Sequence, residues 1–541
     1  MKDISSTGSF VDFTLENFIY VDKTVYIPQL VKLKRVFISR PRRFGKSLTL
    51  DTIATLFETG VEPYFKGTWI YDKWTEPTYP VLRLNFLNFD KNSLEKFNNK
   101  LNSKITEFAE LNQVTTYKEK EEAEDSIDHL LEQLRLEGRQ IVILIDEYDC
   151  QMTANINNET LYKQFQEKIK SFYANIKDKF AIKFLGITGV TRLKDVSIFS
   201  VGSDINDITN ASAYSQMIGF TRDEIKKYYI DYLKLASSYE NNCSVDDVTD
   251  TQLESMLDMM AQNYDGYCFD EDYEKKVFST WSVNKFFQTM IEKKKVQFGE
   301  YWYDNGGLPS ILVNYLKTHE LNIFEYLDKD KFLKVSSDDF KNPTALTTIN
   351  QNVLMCQTGY LTLRSDLNKT STVALGIPNG EIYKALNRLL ANNIFKGNTD
   401  ITDDYGRSLL EVGTVDDIIN LFNSALNSVS YDNYPIVSES SVQNMLKLYL
   451  LGAHQKVLSE LHEAKGRADL VVNTDNRRIV FEFKYAKNET EAKSKLLDAV
   501  EQIKTRDYGN ILPKKNELIR IAAVFNADPK VRAFTENQIV P

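Results

Sequence analysis

The sequence predicts a multidomain α/β protein in three parts: an N-terminal parallel sheet, a helical middle with a winged-helix-like element, and a second α/β core. Three observations carry that expectation. Between about Arg35 and Phe220, short apolar runs alternate with longer amphipathic stretches, as strands and helices do around a parallel sheet. From Thr221 to Asn392 the apolar spacing is mainly helical. After about Ser408, two helical stretches lead into strand-like runs flanking one more amphipathic helix. Length agrees, because 541 residues exceed what one hydrophobic core usually organises. The expected domains are 1–220, 221–395 and 396–541.

The first region has four strand candidates: RVFIS (35–39), VLRLNF (81–86), IVILID (141–146) and AIKFLGITG (181–189). The third is apolar almost throughout, which suits a strand covered on both faces. The charged run KEKEEAED (118–125) reads as a solvated helix face. FTRDEIKKYYIDYLKLA opens the middle with Thr221 placed to cap a helix and Glu224 three residues on, a capping-box spacing. VLMCQTGYLTLRS and TVALGIPNGEIYKALNRLLA read as a strand pair leading into a helix, the winged-helix-like element. The polar stretch KGNTDITDDYG (396–406) is the best boundary. Beyond it come ADLVV (468–472), the polar turn NTDNRR, IVFEFKYA (479–486), the helix ETEAKSKLLDAVEQIKTRDY and the strand IRIAAVFN (519–526).

Composition excludes some function classes. Hydrophobic residues make up 42% and charged residues 26%, as in ordinary globular proteins. A net charge of −10 argues against a protein that coats nucleic acid over its whole surface, while leaving room for a local basic groove. Cys150, Cys243, Cys268 and Cys356 form no CxxC pair, so neither a disulfide framework nor a zinc site is expected. The four His are at 129, 319, 454 and 462 and cannot form a histidine-rich cluster from sequence neighbours. No secretory leader and no membrane-length apolar run is present, so the expectation is a cytoplasmic, reducing compartment with no membrane partner.

RPRRFGKSL (Arg40–Leu48) follows an apolar strand and opens an amphipathic helix, the context a Walker A loop needs. There the backbone of Arg43, Phe44, Gly45, Lys46, Ser47 and Leu48 would meet phosphates at a helix N-terminus. Lys46 would reach the β and γ oxygens, and Ser47 would ligate Mg²⁺. Arg40 stands where the pattern's first glycine belongs. IVILIDEYD then ends a buried strand in two carboxylates: Asp146 is placed to hold Mg²⁺ and Glu147 to polarise the attacking water. Thr188, in TGVTR after the fourth strand, is placed as a polar sensor, and Arg192 as a phosphate-facing cation.

A second constellation lies near the C-terminus. Phosphodiester hydrolysis needs a divalent metal to hold the phosphate and acidify water, and a cation to position that water. Asp469 opens one strand, and Glu482 and Lys484, two apart on the next, leave the same face. If the strands pair as a hairpin, Asp469 and Glu482 converge beside Lys484, and hard carboxylate oxygens suit Mg²⁺ or Mn²⁺. The bland alternative is an edge strand with charged residues on its solvent side. Lys465, Arg467, Arg477, Arg478, Lys484, Lys487, Lys493 and Lys495 make this region locally basic, and they would bind phosphates if they border a groove.

Taken in order, YVDKTVYIPQL, FISRPRRFGKSL, LIDEYD, ITGVTR, GFTRDEI, YDGYCF, QTGYLTL and IPNGEIY resemble the AAA-ATPase-like family, whose members carry a C-terminal nuclease domain of the PD-(D/E)XK superfamily. The matches run from about Tyr20 to Tyr508. That family's short Walker A also lacks the first glycine, and its ATPase is related to STAND-type and archaeal ATPases. The resemblance therefore implies a nucleotide-controlled switch more than a processive motor, and a restriction-endonuclease-like core at the C-terminus. It casts Asp469, Glu482 and Lys484 as the Asp…Glu-x-Lys centre, with Ala468 in place of the motif's proline. A further metal-binding Glu is implied on the upstream helix, Glu439 first and Glu460 next, with Gln502 and Lys504 as substrate or water contacts and Tyr508 packing at the site. The leading expectation is an ATP-regulated, Mg²⁺-dependent nuclease acting on DNA rather than RNA. The alternatives are a nucleotide-switched, self-associating binding module with an inactive nuclease-like domain, and an ATPase with a structural C-terminal cap.

Overall fold

The computed structural model describes residues 1–176, 179–193, 205–304, 310–316, 323–343, 345–395, 406–453, 455–463, 466–509 and 517–541. The segment 194–204 and the expected boundary at 396–405 lie outside them. The chain forms two compact units, Met1–His319 with Phe332–Ile382, and Glu320–Lys331 with Tyr383–Pro541.

The first unit is organised by a five-stranded parallel sheet. Its strands are β1 (Arg35–Ser39), β2 (Val81–Asn85), β3 (Ile141–Asp146), β4 (Ile182–Gly189) and the two-residue β5 (Asn206–Asp207), in the order β2-β3-β4-β1-β5. All six residues of β3 are buried, as its unbroken apolar run requires. The helix α1 (Lys46–Thr59) leaves the C-terminal end of β1 and buries Leu50, Ile53, Leu56 and Phe57. β5 escaped sequence reading because Asn-Asp has no apolar signature; Ile208 N–H, bonded to Phe37 O at 2.9 Å, fastens it to β1.

The charged run 118–125 differs from its expected role, since it mostly precedes the helix Ala123–Leu136. Glu122 and Glu124 both pair with Lys168, whose side chain is buried. A buried ammonium without such partners would carry a heavy desolvation cost, so these two carboxylates are structural.

The helical part begins as expected. Thr221 accepts the backbone N–H of Glu224, and Glu224 returns the bond to the Thr221 N–H, a complete capping box on Arg222–Tyr228. Tyr229, Tyr232, Leu233, Met256, Leu257 and Phe287 form the core between this helix, its successors and α2 (Thr280–Lys293). The segment containing VLMCQ is a helix, Gln351–Gln357, rather than a strand. Short apolar runs do not by themselves separate the two states. A three-stranded antiparallel sheet brackets that helix, ordered β6 (Leu333–Ser336), β8 (Thr372–Gly376), β7 (Thr362–Leu363), and β8 leads into α3 (Gly380–Ile394).

The second unit carries a mixed five-stranded sheet in the order β13-β12-β11-β10-β9. Its strands are β9 (Lys456–Glu463), β10 (Gly466–Asn473), β11 (Arg477–Ala486), β12 (Glu517–Asn526) and β13 (Ala533–Ile539). β10 and β11 pair antiparallel, as the hairpin reading expected, through a turn in which Arg477 N–H bonds Thr474 Oγ1 at 2.9 Å. β11 and β12 pair parallel, so the helix between them, α5 (Glu489–Arg506), is a crossover. The strand β9 was missed: KVLSELHE alternates polar and apolar residues too irregularly to separate from the helices before it. Gly466 and Arg467 are the first residues of β10, paired to β9. The helix α4 (Glu439–Gly452) precedes the sheet and buries Val442, Met445, Leu446 and Tyr449.

Candidate functional site

In the first unit the loop between β1 and α1 is shaped by two residues with positive φ, Arg43 at 71° and Gly45 at 103°. Gly45 caps α1, and its left-handed backbone is one that L side chains rarely adopt. Arg40, in place of the missing glycine, extends β1 instead: its N–H bonds Gly189 O at 3.1 Å. Its side chain is buried over the Phe269 ring and donates to the carbonyls of Ser39 and Thr209. Burial pushes that guanidinium down to about 9.

Lys46 Nζ lies over the loop, 2.9 Å from Arg40 O and 3.2 Å from Pro41 O, and 3.6 Å from the Glu147 carboxylate. Ser47 Oγ donates to Asp146 Oδ2 at 2.6 Å, and Thr188 Oγ1 donates to the other Asp146 oxygen. A hydroxyl and a carboxylate side by side are a hard-oxygen pair of the kind that holds Mg²⁺ with a nucleotide. Glu147 follows with φ 53°, and burial raises its pKa while Lys46 draws it back down. Asp149 completes the strand end: its carboxylate accepts the backbone N–H of Thr191 at 2.7 Å and fixes the turn after β4.

Beside this loop is a cavity of about 320 Å³. Arg43, Phe44, Gly45, Lys46, Ser47 and Leu48 line it, as does Glu147. Its opposite wall comes from Ser5–Gly8, the Tyr20–Leu30 segment, Met217–Phe220 and the start of α2. Arg43 also reaches outward, donating to Tyr301 O at 2.7 Å, while Phe44 packs on Tyr267, Phe269 and Trp302. Arg192 does not line the cavity; its guanidinium pairs with Asp207.

In the second unit, Asp469, Glu482 and Lys484 come together. The Asp469 carboxylate accepts the Phe483 N–H at 2.8 Å, which ties it to the strand that carries the other two. Lys484 Nζ is 2.8 Å from Glu482 Oε1, 3.3 Å from Glu439 Oε1 and 3.1 Å from Phe483 O. Glu482 is fully buried, and among the described residues its Oε2 has no hydrogen-bond partner. Burial, then the Asp469 charge, pushes this carboxyl up to about 7, against the pull of Lys484. On α4, Gln443 lies one turn from Glu439 and donates to Asp469 O.

The chain matches the family model described as "Predicted AAA-ATPase" over residues 5–199 and that of the PD-(D/E)XK nuclease superfamily over residues 437–535. It joins an AAA-ATPase-like domain to a PD-(D/E)XK nuclease-superfamily domain. An uncharacterized protein in the vnfD 5′ region of Azotobacter chroococcum mcd 1 is 26% identical over 533 residues, covering 95% of this chain and 94% of that one. Among solved structures, the Walker-type ATPase Paby2304 of Pyrococcus abyssi aligns at TM-score 0.36 and 11% identity, over 67% of this chain and 94% of that one. Cdc6p from Pyrobaculum aerophilum aligns at 0.24 and 11%, over 68% and 91%.

Within the nuclease-superfamily domain, the expected metal set does not form one cage. Lys484 stands between Glu439 and Glu482, and among the described residues no three His, Cys, Asp or Glu are grouped to hold an ion. Two carboxylates suffice for Mg²⁺, which keeps several waters, and the unpartnered Glu482 Oε2 beside Asp469 fits that requirement. The Glu460 side chain lies outside the described ones. Gln502 Nε2 donates to the buried Tyr508 hydroxyl at 3.3 Å. Lys504 is exposed two residues on, and 200° of helical rotation turns it away from Gln502. The residue that shares Gln502's face is Arg506, four along, which the sequence reading passed over.

In the AAA-ATPase-like domain the missed residues are Asp149 and the far wall of the cavity. Asp149 was visible as the last acid of DEYD, whereas Ser5–Gly8 and Met217–Phe220 are too distant in the chain for any spacing rule to connect them. Several of the counted basic residues are consumed in ion pairs: Arg477 with Glu517, Lys493 with Glu489, and Lys495 with Asp498. No helix among the described residues is long and apolar enough to cross a membrane.

Proposed function

We propose that this protein binds and hydrolyses ATP as a switch, and that its second domain is a divalent-metal-dependent nuclease cutting DNA. The observation that carries the nuclease reading is the Glu482 carboxylate, buried with one oxygen unpartnered beside Asp469 and Lys484. Buried polar atoms are almost always satisfied, and a bare carboxylate oxygen beside a second carboxylate and a lysine supports a ligand at that place.

Asp469 and Glu482 would hold Mg²⁺ or Mn²⁺, which when bound polarises the scissile phosphate and acidifies water. Lys484, fixed by Glu482, Glu439 and the Phe483 carbonyl, keeps its proton and presents positive charge to the attacking water and the phosphate; Gln502 completes the wall as a substrate or water contact. In the first domain, the cavity beside Lys46 takes the nucleotide, Ser47 and Asp146 its Mg²⁺, and Glu147 the proton of the hydrolytic water. Thr188 acts through Asp146, which it orients, and Arg192 acts outside the cavity through Asp207.

The test is nicking of supercoiled plasmid in Mg²⁺ or Mn²⁺, with and without ATP. Asp469→Ala and Lys484→Ala are each expected to lower the rate on the order of 100-fold or more, as loss of a charge-stabilising group does. Undiminished nicking in both variants would sink the reading. Absence of cleavage in wild-type protein under every metal would favour a binding module instead.

A further inference from the structure

We propose that Arg506 is a phosphate-binding residue of the nuclease centre, holding a phosphodiester oxygen of the bound strand beside Asp469 and Glu482. This rests on the nuclease reading above and adds a contact that the Asp469–Glu482–Lys484 constellation lacks.

Arg506 is the last residue of α5, and the chain reverses after it through Asp507, whose φ is 48°. The reversal brings Tyr508 back beneath the helix. Its ring is fully buried among Ala468, Val471, Val480, Ile503 and Ala522. Arg520, from β12, clamps the turn by bonding Tyr508 O at 2.6 Å and the Asp507 carboxylate. The Tyr508 hydroxyl is therefore a fixed post, and Tyr508 belongs to the same core cluster as Ala468, the neighbour of Asp469 in β10.

Two donors meet on that post: Arg506 Nη1 at 3.0 Å and Gln502 Nε2 at 3.3 Å. Arg506 is otherwise exposed, and among the described residues it forms no ion pair. The contact with Tyr508 is the main cause of its raised pKa, and the Glu482 and Asp469 charges add to the rise. The Tyr508 hydroxyl engages one Nη, and the rest of the exposed guanidinium is a planar fork of the kind that matches phosphate oxygens. Lys484 faces the same centre from β11, so a phosphate there would meet cations from the strand and from the helix end. The recognised chemistry is the sugar-phosphate backbone, without base specificity.

Binding of a fluorescent DNA duplex in Ca²⁺ and cleavage in Mg²⁺, each across a salt series, test this on the full chain. Arg506→Ala is expected to weaken binding roughly 10- to 100-fold, the worth of a charge-assisted hydrogen bond. It is also expected to reduce the slope of log affinity against log salt by about 1. Arg506→Lys should restore the salt slope but only part of the affinity. Tyr508→Phe, which keeps the packing and removes the post, should lower affinity while leaving the slope unchanged. Wild-type affinity, slope and cleavage in Arg506→Ala would overturn the proposal while the nuclease reading stands. If wild-type protein neither binds nor cuts DNA or RNA with any divalent ion, both fall together.

Discussion

Glu482 is held at a pKa of about 7 in the folded chain, above its ordinary 4.5, by burial and by Asp469. The raised value means that the carboxyl keeps its proton until the pH approaches 7, and a protonated carboxyl is a poor ligand. Metal affinity should therefore rise with pH: about tenfold weaker Mn²⁺ binding at pH 6 than at pH 8 is expected by calorimetry. Glu482→Gln should bind weakly at both values; a wild-type affinity that is flat with pH would contradict the assignment. The pair of Glu482 and Lys484 was legible in sequence because residues two apart on a strand share a face. Arg506 was not, because its role depends on a reversal at Asp507 that returns Tyr508 under the helix.

At the scale of elements, one buried side chain, Glu381, joins α2 to the helix Tyr301–Asp304 within the first unit. Glu381, in the first turn of α3, accepts Ser282 Oγ–H at 2.7 Å and Trp302 N–H at 2.8 Å. Burial lifts its pKa to about 8 from 4.5. With the folded value raised, its contribution to stability is present below pH 4.5 and is lost as pH rises towards 8. Glu381→Gln keeps an acceptor for Trp302 N–H and has no proton to lose. Its stability relative to wild type should grow by about 3 kcal/mol between pH 6 and pH 9, measured by urea unfolding at the two values. An equal difference at both would show that the carboxyl is ionised throughout.

The whole molecule is two compact units under one acidic sequence, with a net charge of −10. The proposed phosphate binding therefore rests on local cations, Lys46 in one domain and Lys484 with Arg506 in the other. Mg²⁺–ATP at 100 times its dissociation constant should stabilise the AAA-ATPase-like unit by about 2.7 kcal/mol. Calorimetric scans should show an upward shift for that unit's transition, and Lys46→Ala should remove the shift without lowering the transition of the other unit. A shift retained in Lys46→Ala would place the nucleotide elsewhere.

Sequence alone determined the parallel sheet, the loop that opens α1, the paired acids closing β3 and the shared face of Glu482 and Lys484. Each is written in local periodicity or spacing, which neighbours in the chain suffice to express. Tertiary structure decided the rest. It brought the Ser5–Gly8 and Met217–Phe220 segments to the wall of the cavity that Lys46 lines, turned Arg192 to Asp207, set Lys484 between two carboxylates and bonded Arg506 to Tyr508. These are contacts between residues far apart in the chain or around a helix end, fixed by packing and by burial of charge, and no local pattern encodes them.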